Sequence, residues 1–133
     1  MLEESIIWRC LIHTLLGLEC LHANNIIHRD VKSANVFIHI PGVSDLEGDG
    51  EIDLDDLSRA KFKLGDLNIA KLSAPGSMHT TMNGTPFFAS PEMLNHRPYN
   101  AQQDVWSLGV TIYHLASLAL PFQGDTIPEI TKL

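Results

Sequence analysis

A mainly α fold of the α+β kind, helical with one short β-hairpin, is what this sequence predicts. Apolar residues recur at helical spacing between Glu4 and Asn24 and again between Ala101 and Leu118, two stretches of helical length. Only Val36 to Ile40 and Ala60 to Leu64 carry the β-branched and aromatic content of strands, the second with period-two alternation. At 133 residues the chain has room for one domain and no more.

In the first helix, Ile7, Leu11, Leu15 and Leu18 form an apolar stripe, widened by Trp8, Ile12 and Leu16. Glu3 and Glu4 suit its positive end, and Asn24 with Asn25 suits its exit. Cys10 and Cys20 fall on this helix about 15 Å apart, too far to bridge, and read as two reduced packing thiols. The two strands follow, the second with Phe62 and Leu64 on one face and Lys61 and Lys63 on the other. Hairpin loops usually hold about 2–5 residues, so the connection from Pro41 to Arg59 reads as an insertion.

That insertion carries the charge. The chain has 16 acidic and 9 basic residues, for a net charge of −7, and Asp45, Glu47, Asp49, Glu51, Asp53, Asp55 and Asp56 supply all of the excess. No basic patch exists, so nucleic-acid binding finds no support. Asp45, Glu47, Asp49, Gly50, Ile52, Asp53 and Asp56 echo a twelve-residue calcium loop. The twelfth position is Asp rather than Glu, Pro41 and Gly42 replace an entering helix, and no partner hand exists; a solvated acidic loop is the favoured reading.

Residues 70 to 90, rich in Ser, Thr, Gly and Pro, read as a long mobile loop. Ser90, Pro91 and Glu92 then open a short helix, with Ser as cap and Pro in the first turn. Asn100 with Gln103 resembles a capping box before the helix from Ala101 to Leu118. The apolar run Leu108 to Phe122, broken by His114, Ser117 and Pro121, is too short to span a bilayer and reads, with Trp106, as buried core. Another helix begins at Thr126. No stretch reads as a secretory signal, and His13, His22, His39, His79, His96 and His114 lack metal-ligand spacing and read as packing or surface residues.

Phosphoryl transfer from a nucleotide needs a carboxylate for the attacking hydroxyl's proton, a cation for the moving charge, and oxygen ligands for magnesium. His28-Arg29-Asp30-Val31-Lys32-Ser33-Ala34-Asn35 supplies a carboxylate, a cation and an amide oxygen directly before one strand. Gly65-Asp66-Leu67-Asn68 supplies a second carboxylate directly after its partner. Ends of adjacent antiparallel strands lie close together, so Asn35 and Asp66 can converge on one ion of the hard, oxygen-preferring kind.

These motifs, with Gly84-Thr85-Pro86, Ser90-Pro91-Glu92 and Asp104-Val105-Trp106-Ser107-Leu108-Gly109 in order behind them, resemble the catalytic half of eukaryotic-type serine/threonine protein kinases. The likeness covers nearly the whole chain apart from residues 41 to 59. It implies a partial kinase domain over residues 1 to 133, the C-terminal lobe without the N-terminal lobe. It further implies Asp30 as catalytic base, Lys32 and Thr85 as its catalytic partners, and Asn35 and Asp66 as metal ligands. Lys32, Asn35, Phe37 and Asp66 would contact the nucleotide. His28, Arg29, Glu92 and Asp104 would give structural support, Asp104 by bracing the backbone of the catalytic loop. Lys32 and Thr85 resemble the serine/threonine branch rather than the tyrosine branch. Arg29 beside Asp30 implies control by loop phosphorylation, with Thr81 and then Thr80 as acceptors for an upstream kinase or for autophosphorylation. Ile7-Trp8, Lys63-Leu64-Gly65-Asp66 and Gly84-Thr85-Pro86-Phe87-Phe88-Ala89-Ser90-Pro91-Glu92 look most like the NimA-related group.

The implied function is transfer of the γ-phosphoryl of magnesium-ATP to Ser or Thr hydroxyls on proteins. ATP, Mg2+ and protein substrates are the expected partners, nucleic acid and membrane are not, and the expected location is the cytoplasm, with cytoskeletal association in the NimA-related case. The family's Gly-rich loop, strand lysine and helix glutamate have no counterpart here. Two readings therefore stand: a fragment of a longer kinase, or a truncated kinase-like binding or scaffold protein. Asn68 departs from the family's glycine, and is expected to serve there because Asn tolerates positive φ.

Overall fold

Two long helices frame two small sheets in the order α1 (Glu4–Ala23), β1 (Ile26–Ile27), β2 (Val36–His39), α2 (Leu54–Arg59), β3 (Lys61–Leu64), β4 (Lys71–Leu72), α3 (Pro91–Leu94), α4 (Gln102–Ser117) and α5 (Ile127–Ile130). Single 3₁₀ turns occupy Ser33–Asn35 and Pro86–Phe88. The structure, a computed structural model, describes residues 2–42 and 54–131.

The ends of α1 fall where its acids and asparagines predict them, with Glu3 and Asn24 as caps and Asn25 turning the chain at φ 58°. Its buried face keeps Leu18 of the predicted stripe, with Leu11 partly buried beside it, but is otherwise rotated from it. Ile6, Cys10, Thr14 and Leu18, four residues apart, face the core, whereas Trp8, Ile12, Leu15 and Leu16 are exposed. Apolar residues surround this helix, so periodicity alone does not choose a side. Packing chooses it: α1 lies against β3 and α4, and a Cβ on Gly17 would come within 3.4 Å of Leu64 Cβ. By length and composition α1 would also suffice to cross a bilayer, a property shared with core helices, and here it contributes to the core. Both cysteines are free, and burial pushes the Cys10 thiol up, away from nucleophilic use at neutral pH.

The hairpin strands pair antiparallel as expected, Val36 opposite Leu64 and Phe37 opposite Lys63, through to His39 opposite Lys61. Phe62 points into a cluster with Ile6, Cys10, Ile40 and Ala60, while Phe37 and Ile38 stay exposed. The predicted insertion ends in α2, where Arg59 pairs with Asp56. Asp45, Glu47, Asp49, Gly50, Ile52 and Asp53, and with them most of the calcium-loop pattern, lie outside the described residues.

The segment 70–90, expected as a long mobile loop, contains backbone pairing that its composition does not announce. β4 pairs with β1, Ile26 opposite Leu72 and Ile27 opposite Lys71. Farther on, His79 and Tyr99 exchange two backbone hydrogen bonds of 2.8 Å. Strands of two residues leave no period to read, and β1 has no signal beyond two isoleucines. Ser90 caps α3 as predicted, its hydroxyl accepting from the Met93 N–H at 3.4 Å. The capping box is half made. Asn100 Oδ1 accepts from the Gln102 N–H (2.9 Å), but the Gln103 side chain accepts from the Ser90 N–H (2.8 Å) and donates to Ser107 (2.7 Å) instead. α4 buries Leu108, Val110 and Thr111 but exposes Tyr113, and Leu118 just beyond it is exposed too, so one face, not the whole run, is core. Trp106 is half-buried and stacks on Phe122 with centroids 5.6 Å apart. Leu118 is not helical but ends α4 in the left-handed region, φ 57°. Thr126 precedes α5, as expected.

Candidate active site

The loop from His28 to Asn35 joins β1 to β2, and three anchors set its path. Leu18, buried Val31 and Leu108 pack together and fix it between α1 and α4. Asp104, in the first turn of α4 and fully buried, receives the His28 N–H on Oδ2 (2.9 Å) and the Arg29 N–H on Oδ1 (2.8 Å). His28, also fully buried, joins the Gly65 carbonyl through Nε2 at 2.9 Å and accepts from the Asp30 N–H through Nδ1 at 3.3 Å.

Arg29 is thereby held at φ 69°, a left-handed conformation that costs on the order of 1–3 kcal/mol outside glycine. Its guanidinium donates to the Ile69 carbonyl. Gly84 crosses directly above at φ 89°. A Cβ there would sit 2.5 Å from the Arg29 carbonyl oxygen and 3.1 Å from Asp30 Oδ1, so only glycine fits.

Three predicted residues meet at the Asp30 carboxylate. Lys32 Nζ lies 2.8 Å from Oδ2, and Asn35 Nδ2 donates to Oδ2 (3.1 Å) and to the Asp30 carbonyl (2.8 Å). The Thr85 hydroxyl donates to Oδ1 (3.2 Å) while accepting from Lys32 Nζ (2.9 Å). Partial burial pushes the Asp30 carboxyl up, but the hydrogen bond and charge of Lys32, with the bonds from Asn35 and Thr85, outweigh it and hold the group below its ordinary value. The carboxylate is therefore ionised at neutral pH and oriented on both oxygens.

Asn35 is buried at the end of the 3₁₀ turn directly before β2, and its carbonyl accepts from the Gly65 N–H (3.0 Å), which brings the end of β3 beside it. Asp66 follows at φ 59°, exposed, its Oδ1 facing the Asn68 N–H at 3.4 Å. The left-handed residue is thus Asp66 and not Asn68, a correction to the sequence expectation. The short carboxylate side chain tolerates that conformation better than most. With its nitrogen bound to Asp30, Asn35 has its amide oxygen left to offer a cation, and Asp66 offers a carboxylate. Two hard oxygen donors from adjacent strand ends fit magnesium, which takes few protein ligands and completes its shell from phosphate and water. No group of three or more His, Cys, Asp or Glu among the described residues could hold a metal alone. Phe37 stands exposed on β2 with its ring over Gly65, where a Cβ would approach to 2.6 Å.

The remaining predicted residues lie farther out. Thr80 and Thr81 are exposed, and the Thr81 carbonyl accepts from the Tyr99 hydroxyl (2.8 Å). Burial, then the charges of Lys71 and Arg29, press the pKa of nearby His79 down. Glu92 occupies the first turn of α3, where its carbonyl accepts from the Arg97 N–H at 2.8 Å.

Sequence reasoning missed His22. It was expected to be a packing or surface residue, yet its Nε2 lies 2.7 Å from Asp104 Oδ2. It also borders a cleft of about 240 Å³ with Asn25, Ser73, Asn100 and Gln102. Only its place in the last turn of the helix before the His28 loop hinted at this.

The sequence profile of the protein kinase domain matches residues 1–132. Among curated relatives, the probable serine/threonine-protein kinase nek2 of Dictyostelium discoideum is 33% identical over 98% of this chain and 28% of its own length. Serine/threonine-protein kinase Nek4 of Mus musculus is 34% identical over 98% of the chain and 14% of its own length. Mouse serine/threonine-protein kinase Nek3 is 36% identical over 92% and 21% respectively. The chain thus spans well under a third of the length of these relatives.

Proposed function

The chain belongs to the protein kinase family, with NimA-related serine/threonine kinases among its relatives, and from that premise we propose that it forms the C-terminal-lobe side of a phosphoryl-transfer site. The reaction is transfer of the γ-phosphoryl of ATP to a Ser or Thr hydroxyl of a protein. One observation carries the reading: Lys32, Asn35 and Thr85, from separate parts of the chain, all bind the single carboxylate of Asp30.

Asp30 receives the acceptor hydroxyl's proton as that oxygen bonds to the γ-phosphorus and the bond from phosphorus to the nucleoside diphosphate breaks. A carboxylate held well ionised is a weak base. That suits a loose transition state, in which orienting the hydroxyl matters more than early proton removal. Lys32, shared between Asp30 and Thr85, places a positive charge beside the oxygens of the transferred group. Asn35 and Asp66 would hold magnesium, which supplies charge neutralisation on the phosphates. Phe37 would lie along the nucleotide. The Lys32–Thr85 bond supports Ser/Thr acceptors, since both residue types belong to that branch by resemblance.

The test is transfer to a protein substrate by the full-length protein and its Asp30→Asn variant. The variant is expected to lose roughly 10²–10⁴ of its kcat, with its circular dichroism unchanged and its cooperative unfolding retained. Undiminished transfer by a folded variant would refute the role of Asp30. An inactive wild-type protein that fails to bind magnesium-ATP would refute the kinase reading itself.

A further inference from the structure

We propose that His13 is a positioning residue for the strand that leads to Asp66, and that it holds this strand only while its imidazole is neutral. β3 pairs with β2 along one edge and with no strand along the other. On that second edge the Phe62 N–H meets His13 Nδ1 at 3.2 Å, a contact between residues 49 apart. A peptide N–H can only donate, so Nδ1 is the accepting nitrogen and the ring proton sits on Nε2. Phe62 is 8% exposed, and its ring stands 6.2 Å from the imidazole. A buried peptide N–H that loses its partner is costly, and no neighbouring strand offers a carbonyl in place of the imidazole.

The clamp acts on the metal-binding end of the hairpin. From Phe62 the chain runs through Lys63 and Leu64 to Gly65 and then Asp66. The Gly65 N–H donates to the Asn35 carbonyl, and its own carbonyl meets His28 Nε2. Those bonds tie the strand to the loop of Asp30. His13 ties it instead to α1, which packs on α4 as well. Release of Phe62 would free the outer edge of β3 and let the Asp66 carboxylate drift relative to Asn35. His13 touches neither nucleotide nor the reacting atoms; its effect is on where Asp66 stands.

Protonation reverses the contact. Both nitrogens of an imidazolium donate, so the charged ring would set N–H against N–H. Imidazoles change charge between about pH 5 and 8, so the bond is present on the alkaline side and lost as pH falls. Arg9 and the buried thiol of Cys10 stand one turn earlier on α1, and Lys61 and Lys63 flank Phe62 on β3. His39 lies opposite Lys61 on β2. α2 carries Asp55 with the paired Asp56 and Arg59, α4 carries Asp104 and His114, and β1 has no titratable group. Among the described residues no ion pair joins His13 to any of them, so no carboxylate is in place to hold the charged ring.

The effect on Asp66 rests on the kinase reading, whereas the clamp does not, and the experiment separates them. The variants are His13→Asn, whose amide oxygen takes the position of Nδ1 and accepts at every pH, and His13→Phe, which keeps a ring against Phe62 but places carbon there. Amide hydrogen exchange, corrected for the intrinsic effect of pH, reads Phe62 in all three proteins without any activity. Between about pH 7.5 and about pH 5.5, protection of the Phe62 amide is expected to fall about tenfold in the wild type and to stay constant in the Asn variant. The Phe variant should be weakly protected at both ends. In the full-length protein, the magnesium dependence of ATP binding should match between wild type and the Asn variant at the alkaline end. At the acid end the wild type should need about tenfold more magnesium than the Asn variant. Phe62 protection that ignores pH in the wild type, or that falls equally in the Asn variant, would overturn the proposal. So would equal magnesium dependence of these two proteins at the acid end. A full-length protein that binds no ATP with magnesium, with Phe62 exchanging as expected, would count against the kinase reading and leave the clamp standing.

Discussion

Burial and hydrogen bonding act on the Asp30 carboxyl in opposite senses, and the hydrogen bonds win. Because its folded value lies below the ordinary 3.8, folding favours the ionised form. The stability it contributes is present above the unfolded value and is lost as pH falls through the folded one. Lys32→Met removes the largest opposing influence and leaves burial in place, so the Asp30 value should rise above that of the wild type. Carbon NMR titration of the carboxyl checks this, and unfolding curves between pH 2 and 5 should show an earlier acid decline than wild type. An unchanged titration would mean that Lys32 is not seated on Asp30 in solution. The residues of this cluster were readable because Asp30, Lys32 and Asn35 lie within one short loop, while Thr85 was placed with them only by the resemblance of Gly84-Thr85-Pro86 to the kinase motif. His22 and the left-handed turn at Asp66 were not. Each depends on where a distant or neighbouring backbone arrives, and no local spacing encodes that.

For α1 the same division runs between ends and faces. Glu3, Glu4, Asn24 and Asn25 announced the termini, since capping and dipole preferences are local chemistry. The face was hidden because Ile6, Ile7, Trp8, Leu11, Ile12, Leu15, Leu16 and Leu18 encircle the helix, and small Cys10 and Thr14 mark the side where β3 approaches. Substitution measures the difference. Leu18→Ala opens a space against Val31 and Leu108 and should cost about 2–5 kcal/mol in chemical denaturation. Leu16→Gln, on the exposed side, should change stability by no more than about 0.5 kcal/mol. Equal losses at both positions would show that the side of α1 carrying Leu16 is also packed. The hairpin shows the opposite case. Phe62 alternates with lysines and its partner strand follows the loop of Asp30, so pairing and face were both legible; β1 and β4 were too short to show either.

The cores of the molecule are not equally joined. Ile6, Cys10, Ile40, Ala60 and Phe62 form one cluster and Leu18, Val31 and Leu108 another, and Ile112 packs on both, so α1, β2, β3 and α4 share their apolar contacts. Ala89, Met93, Leu94, Tyr99 and Ile130 form a third cluster with Met82, Phe87, Phe122 and Ile127, and share no member with the other two. Its ties to α4 are of a different kind: the Ser107 hydroxyl to the Phe88 carbonyl, the Ser90 N–H to Gln103 Oε1, and Trp106 stacked on Phe122. A few hydrogen bonds at about 0.5–1.5 kcal/mol each, and two ring pairs at about the same, Trp106 with Phe122 and Phe88 with His114, hold less firmly than a continuous core. The segment from Met82 through α3, with α5, should therefore open as a unit below the free energy of global unfolding, while α1 and α4 remain closed. Native-state hydrogen exchange at increasing, sub-denaturing urea resolves this. Amides of α3 and the Tyr99 bridge are expected to merge into one isotherm with a lower zero-denaturant free energy than those of α1 and α4. Ser107→Ala should lower the first isotherm more than the second. A single isotherm shared by all four elements would refute the division. The consequence reaches the active site, because Gly84 and Thr85 belong to the segment that opens whereas Asp30 and Lys32 belong to the part that stays. Each opening removes the Thr85 hydroxyl from the Asp30–Lys32 pair, so contacts that stabilise the third cluster also set how long the catalytic carboxylate is held on both oxygens.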